Sequence, residues 1–348
     1  MARCRCQSSP GLICPGPESK AFRGMKVRIL SLSLLLLVAS SGCQAGSGTS
    51  GYQCIAPANP GGGWDLACRL ASRAFTESGL IAGNIQVVNL PGAGGGRAFV
   101  QLATRRRSDP GVFVAASPAT TLNLAQERFG SLEVGDVRWV AALAAESGVL
   151  AVRADAPWRS LEELMAQWRA DPSSIVTAGG SAVASQDHVK VLLMAEAGGI
   201  DPLRVRYVPF DGGGEALAAV LGGFVDLFSG DVSEVLPHME AGSARILTVM
   251  SRDPLSPPLD ELPTTFQAGY PVAWPTWRGF YIPGDVPDSV YEGWSDRFLA
   301  LGSSQEWGDI TRAYRWEPFV LVGPEFETFV KDQVGTFRGL ARRMGLIP

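Results

Sequence analysis

Two glycine triplets, one in each half of the chain, constrain the fold more than any other feature: Pro60-Gly61-Gly62-Gly63-Trp64-Asp65 and Phe210-Asp211-Gly212-Gly213-Gly214-Glu215. Each follows a short β-like run (Gln53 to Pro57; Val205 to Val208) and opens an amphipathic helical pattern (Leu66 to Phe75; Ala216 to Leu221). A glycine run at such a junction presents bare backbone N–H groups at a helix N-terminus, where unpaired donors and the helix dipole attract anions. Having the arrangement twice predicts two lobes that close on one small negatively charged ligand. Taken singly, each triplet has an alternative reading as a tight turn that needs φ > 0.

Around the triplets, short apolar or β-branched runs alternate with helical patterns, the sign of an α/β fold built on mainly parallel sheets. Strands are expected at Gln53 to Pro57, Ile85 to Asn89, Val112 to Ala115, Val137 to Leu143, Ser174 to Ala178, Val205 to Val208, Val225 to Phe228 and Ile246 to Met250. Helices are expected near Trp64 to Phe75, Arg97 to Arg105, Leu161 to Trp168, His188 to Glu196 and Ala216 to Leu221. Val149 to Arg153 and Gly279 to Pro283 read as the two crossings between domains, and the apolar stripe in Glu325 to Met344 as a helix docking on the first domain. With 348 residues and 46% hydrophobic content there is material for two domains. The first is expected over residues 52–152 and 275–348, the second over 153–274.

Residues 1–43 read as an upstream segment and a lipoprotein signal. The apolar run Ile29 to Val38 follows Lys26 and Arg28 and leads into Ser41-Gly42-Cys43, with Met25 standing where such a signal begins. Cys43 is the expected lipidation site and residues 44–51 a flexible tether. The apolar run is too short to span a bilayer as a mature helix. Cys4, Cys6 and Cys14 lack the further ligands a metal site needs, so no metal is expected. From Cys43 onward there are 24 basic and 33 acidic residues, a net charge near −9 that lacks the basic footprint of a nucleic-acid binder. Any anion must then be held by local dipoles and donors. Cys54 and Cys68 fall on the first strand and one turn into the next helix, close enough for a disulfide, with a pair of buried thiols as the alternative.

Other motifs narrow the chemistry. Pro91-Gly92-Ala93-Gly94-Gly95-Gly96 misses the dinucleotide fingerprint because Arg97 stands where its last glycine belongs, and no Gly-Lys-Ser/Thr occurs; no cofactor is expected. That loop reads as a third helix N-terminus at the cleft or as a simple turn. In Gly179-Gly180-Ser181-Ala182-Val183-Ala184-Ser185-Gln186-Asp187-His188, Val183 breaks the nucleophile elbow. Ser185 reads as a helix N-cap with Asp187 and His188 in the first turn. Trp64, Phe210 and Trp277 either wall a pocket or pack in the core. Asp65 and Glu215 are expected to bond neighbouring backbone and brace their loops.

The sequence resembles the extracytoplasmic solute receptors of tripartite tricarboxylate transporters, the Bug proteins. The resemblance is carried by Ala56-Pro57-Ala58-Asn59-Pro60-Gly61-Gly62-Gly63-Trp64-Asp65, Pro91-Gly92-Ala93-Gly94-Gly95, the Gly-Gly-Ser to Asp187-His188 cluster, Val208 to Ala216, Leu221 to Asp226, and Trp277-Arg278-Gly279. It extends from about Tyr52 to the C-terminus, and its triplet variants look most like the tricarboxylate branch. It implies a two-lobed type II periplasmic binding fold that closes on a small carboxylate. The contacts it implies are Gly61 to Asp65 in the first loop, the hydroxyls of Ser117 and Thr120, and Ser181, Ser185 and Gly212 to Gly214 in the second lobe. Trp64, Gly94, Asp187, His188 and Phe210 complete the expected ligand-binding set. Val183-Ala184 replaces the glycine-rich run usual before Asp-His.

The expected function is capture of a citrate-like di- or tricarboxylate and delivery to membrane permease subunits by a lipid-anchored monomer, with no catalytic residues. Two alternatives stand: an acyl hydrolase using Ser181 or Ser185 with His188, and a carboxylate receptor feeding a signalling partner. The signal reading predicts that mass spectrometry of the membrane fraction finds lipidated Cys43 and no peptide from residues 1–42; recovery of peptides containing Cys4 or Cys14 overturns it.

Overall fold

The computed structural model describes residues 51–347; the leader, Cys43 and nearly all of the tether lie outside them. In chain order the elements are β1 (Gln53–Ala56), α1 (Gly63–Glu77), β2 (Gln86–Asn89), α2 (Gly96–Arg105), β3 (Val112–Ala116), α3 (Pro118–Ala125), β4 (Val137–Arg153) and α4 (Leu161–Ala170). There follow β5 (Val176–Gly179), α5 (Gln186–Ala197), β6 (Arg206–Pro209), α6 (Gly213–Leu221), β7 (Leu227–Asp231), α7 (Val232–Glu240) and β8 (Ala244–Val249). The chain ends with β9 (Pro275–Pro283), α8 (Asp288–Gly302), α9 (Gln305–Tyr314), β10 (Glu317–Val322) and α10 (Pro324–Arg343).

The fold is a two-lobed α/β architecture organised by β4. Its first part pairs antiparallel with β9 and β10, and its second part with β7 and β8. In the first lobe β1 lies parallel between β2 and β3; in the second, β5 lies parallel between β6 and β7. The sheets are therefore mixed rather than mainly parallel. Parallel pairs arise from strand–helix–strand crossovers, whereas every antiparallel pair contains β4 or β9, where the chain leaves the first lobe and returns.

Ser147 still pairs with Pro275 on β9, while Gly148 pairs with Asp231 on β7. The Gly148 N–H donates to Trp274 O at 3.0 Å and its carbonyl accepts from Met250 N–H at 2.7 Å. The two crossings thus lie side by side. Val149 to Arg153 belongs wholly to the second sheet and Gly279 to Pro283 to the first, so the crossings fall a few residues earlier than expected. On this topology we propose lobe limits at Gly148 and Pro275.

Helices cover both faces of the first sheet. On one face Phe75 of α1 and Trp294 and Phe298 of α8 meet Phe113 and Phe280; on the other Phe99 of α2 and Phe326 and Val330 of α10 meet Trp139, Trp277 and Tyr281. Trp277 is core, edge-on to Phe326 at 5.3 Å. α10 starts at Pro324 after Gly323 with φ +62°, a local start signal, and its far end reaches the second lobe, where Phe337 stacks on Trp274 at 5.6 Å.

Cys54 of β1 and Cys68 of α1 form a disulfide, both fully buried with Cα atoms 5.7 Å apart. It clamps the first triplet loop between strand and helix. For a closed loop of about 15 residues the chain-entropy argument gives about 3 kcal/mol. Replacing both cysteines by alanine is expected to lower stability in urea by about 2–3 kcal/mol and to abolish its sensitivity to reductant; equal stability of wild type with and without reductant contradicts this.

Candidate functional site

The two triplets meet face to face. A Cβ on Gly62 would lie 3.4 Å from Gly212 Cα, and one on Gly214 would lie 3.4 Å from Gly61 O. The Asn59 N–H donates to Asp211 O at 3.2 Å and Asn59 Nδ2 to Glu215 Oε1 at 2.8 Å, two clasps across the cleft mouth. Glu215 therefore bonds across the cleft rather than to its own loop.

Five helices aim their N-termini at the cleft these loops enclose. Lining residues come from the first turns or cap positions of α1 (Gly62, Gly63, Trp64), α3 (Ser117, Ala119), α5 (Gln186, Asp187), α6 (Gly212, Gly213) and α7 (Asp231, Glu234). Ala58, Gly180, Ser181 and Arg278 complete the wall. The cavity is about 30 Å³, room for a couple of water molecules. Converging helix dipoles favour an anion there although the chain is acidic, against the carboxyl groups that share the wall.

Of the expected residues, Gly62, Gly63, Trp64, Ser117, Ser181, Asp187, Gly212 and Gly213 line this cleft. The Trp64 indole N–H donates to Ser117 Oγ at 3.1 Å, and Ser117 Oγ donates to Gln186 Oε1 at 3.3 Å. The others do not line it. Gly61, at φ +89°, donates its N–H to Asp65 Oδ2 at 3.0 Å. Asp65 is buried and also accepts from Arg69 Nε at 2.9 Å and Asn89 Nδ2 at 2.8 Å, bracing the loop from behind. Burial pushes its carboxyl up, but these bonds and the Arg69 charge outweigh burial and hold it below the usual value. Thr120 Oγ1 accepts the Ser117 N–H at 3.4 Å within a capping box. Gly94 O accepts from Asn123 Nδ2 at 2.8 Å on the seam beside Ala182, Phe210 packs on the second-lobe core, and Gly214 is exposed at the mouth.

Ser185 occupies the N-cap position of α5, but its buried hydroxyl makes no capping bond; Ser181 Oγ instead accepts the Asp187 N–H at 3.0 Å. His188 Nδ1 accepts the Ala184 N–H at 2.9 Å, and its ring lies 4.5 Å from that of Tyr207. Burial and then the Arg128 charge lower its pKa to about 4, so it is neutral near neutral pH. Its Nδ1 is thus taken by backbone, and no serine hydroxyl pairs with it among the described residues. Ala184 adopts φ +62°, a conformation that costs an alanine roughly 1 kcal/mol.

The residues that sequence reasoning missed are charged and buried. Arg278 of β9 donates from Nε to Glu146 Oε1 at 2.9 Å and from Nη2 to Asp231 Oδ2 at 2.9 Å. Asp231 Oδ1 also accepts from Lys190 Nζ at 2.7 Å and Thr276 Oγ1 at 2.8 Å, and Lys190 reaches Asp187 Oδ1 at 3.0 Å. Against burial, Lys190 and Arg278 together hold the Asp231 carboxyl below its usual range, whereas burial and the neighbouring Asp231 raise that of Asp187. A Cβ on Gly63 would lie 2.5 Å from Arg278 Nη1, so the guanidinium lies directly against the first triplet. Arg278 belongs to the Trp-Arg-Gly motif, the one signal that pointed to it.

Removing one partner of a buried ion network leaves uncompensated charge. Asp231→Asn is expected to cost about 3–5 kcal/mol in urea denaturation. Arg312→Ala, which breaks an exposed pair with Asp309, is expected to change stability little. Similar small effects for both variants contradict the central role of Asp231.

The profile of the Tripartite tricarboxylate transporter family receptor matches residues 74–346. Protein BugT of Bordetella pertussis is 24% identical over 306 residues, covering 84% of this chain and 89% of BugT. Among solved structures, MatC from Rhodopseudomonas palustris with bound malate superposes with a TM-score of 0.71 at 20% identity, covering 83% of this chain and 98% of MatC. An R. palustris protein with adipate gives 0.74 at 23%, covering 85% and 97%; at these identities the likeness establishes the fold. Since the family match spans well over half of the sequence, the chain belongs to the tripartite tricarboxylate transporter receptor family and is a solute-binding receptor, not an enzyme.

Proposed function

We propose that this receptor captures a small di- or tricarboxylate between its lobes on the extracytoplasmic side of the membrane and delivers it to the permease subunits of a tripartite-type transporter. The observation that carries the reading is the convergence of five helix N-termini and Arg278 on one cleft. Net negative charge disfavours anions at long range, so affinity rests on fixed directional donors: the N–H groups of Gly63, Gly212 and Gly213, the hydroxyl of Ser181, and Arg278. The malate and adipate held by MatC and the R. palustris neighbour support dicarboxylates, and the triplet variants support a citrate-like acid.

A dicarboxylate is larger than the 30 Å³ cleft, so entry requires the Asn59 clasps to open and the lobes to part at the crossings beside Gly148. Closure presents one composite face to the permease. A lipid on Cys43, inferred from the leader, keeps the receptor beside it.

Citrate, malate or adipate at a hundred times Kd is expected to stabilise the protein by about 2.7 kcal/mol, read by thermal shift. Gly63→Ala drives a Cβ into Arg278 and is expected to weaken carboxylate binding at least about tenfold, or about 1.4 kcal/mol, in calorimetry. A response confined to neutral sugars, or undiminished affinity of a folded Gly63→Ala, contradicts the proposal.

A further inference from the structure

We propose that Glu234 meets the ligand as a neutral carboxylic acid, donating its O–H to a ligand carboxylate, and that it thereby makes capture depend on a bound proton. The inference rests on the reading of the cleft as a carboxylate site and adds a specificity-determining residue to it.

Three carboxyl side chains line the cleft, Asp187, Asp231 and Glu234. Asp231 is paired with both Lys190 and Arg278, and Asp187 with Lys190. Glu234, half-buried at the cleft wall, has no salt bridge among the described residues. Its Oε2 accepts the Asp231 N–H at 3.1 Å, which leaves Oε1 to carry a proton. Oε1 lies where a Cβ on Gly213 would come within 2.1 Å, so it sits at the head of α6 beside the second triplet's N–H groups. Gly213 is thus the opening through which this carboxyl reaches the cleft.

Charged groups face Glu234 from several sides: Asp231 at the start of its own helix, Asp187 and Lys190 from α5, and Glu146 and Arg278 from β4 and β9. From β8, Arg245 is turned away onto the carbonyls of Ala154 and Trp158; on α6, Gly213 lies against Glu234, and Glu215 of the same first turn bonds Asn59 across the cleft mouth. Burial first, then Asp231, Asp187 and Glu146, push the Glu234 carboxyl up to about 8 against the opposing pull of Arg278. A neutral acid here adds a donor to the array that receives an anion. An ionised one adds a repelling charge at the same point.

The sign follows. The proton is in place below about pH 8 and lost above it, so affinity for a fully ionised acid is level near neutral pH and falls at alkaline pH, by at most roughly tenfold per pH unit. Calorimetry with citrate, malate and adipate, all ionised from just above neutrality, is run from about pH 7 to about pH 10 on wild type, Glu234→Gln and Glu234→Ala. The wild type is expected to show the alkaline fall. Glu234→Gln, which keeps a donor and can still accept the Asp231 N–H, is expected to bind within about threefold of wild type at pH 7 and to lose the fall. Glu234→Ala is expected to be about tenfold weaker at pH 7.

A wild type that binds carboxylates with a level profile to about pH 10 overturns this inference while leaving the carboxylate reading intact, and it does so without any variant. Glu234→Gln falling as steeply as wild type does the same. Tighter binding of aspartate or glutamate as pH rises, abolished in Glu234→Gln, makes Glu234 an ionised acceptor for a ligand ammonium and also overturns it. No carboxylate binding at any pH removes both readings.

Discussion

Asp231 holds two buried cations at once, and the arrangement of the cleft depends on that node. Lys190 comes from α5 and Arg278 from β9, and Glu146 of β4 closes the circuit through Arg278. Each cation, buried alone, would cost several kcal/mol. Thr276 and the Gly230 carbonyl supply further bonds that fill the network. Because β9 and β4 carry the first lobe while α5 and α7 carry the second, one cluster sets where the second-lobe helix ends stand relative to the first-lobe triplet.

That cluster also tunes the electrostatics of the cleft. Five N-terminal dipoles and two cations oppose the carboxyl groups of Glu146, Asp187 and Asp231, with Glu234 beside them. First-turn acids are favoured at helix N-termini, and here they bring the site close to balance instead of leaving an open anion trap. In such a site a ligand is distinguished by the positions of donors rather than by total charge. The charge state of each carboxyl then matters individually.

The glycines do more than supply free N–H groups. Gly62 and Gly212 let two backbones approach, while Gly63 and Gly213 leave the space into which Arg278 and Glu234 project from behind the loops. Gly180 serves the same end, since a Cβ there would lie 2.1 Å from Gly213 N. A triplet that reads locally as a turn or a phosphate-type loop is, in the assembled cleft, a window for charged side chains from another element.

The alternation of strands and helices, the two triplets at strand–helix junctions and the Cys54–Cys68 spacing are local features, so the α/β class, the two lobes and a candidate disulfide were legible in them, while the family resemblance was carried by motif stretches from Ala56 to Gly279. Elements without a clear period escaped it: all eight residues of α3 are buried, so no amphipathic stripe marks it, and α7 carries Pro237 inside the helix. The sequence could not show that Ser181 rather than Ser185 caps α5, or that Thr120 and His188 are consumed by backbone bonds, because such choices depend on which partner arrives in space. That Glu146, Lys190, Asp231, Glu234 and Arg278 meet at one point is a product of the assembled fold. They lie up to 132 positions apart along the chain, and what draws them together is the need to pair charges once burial has removed water.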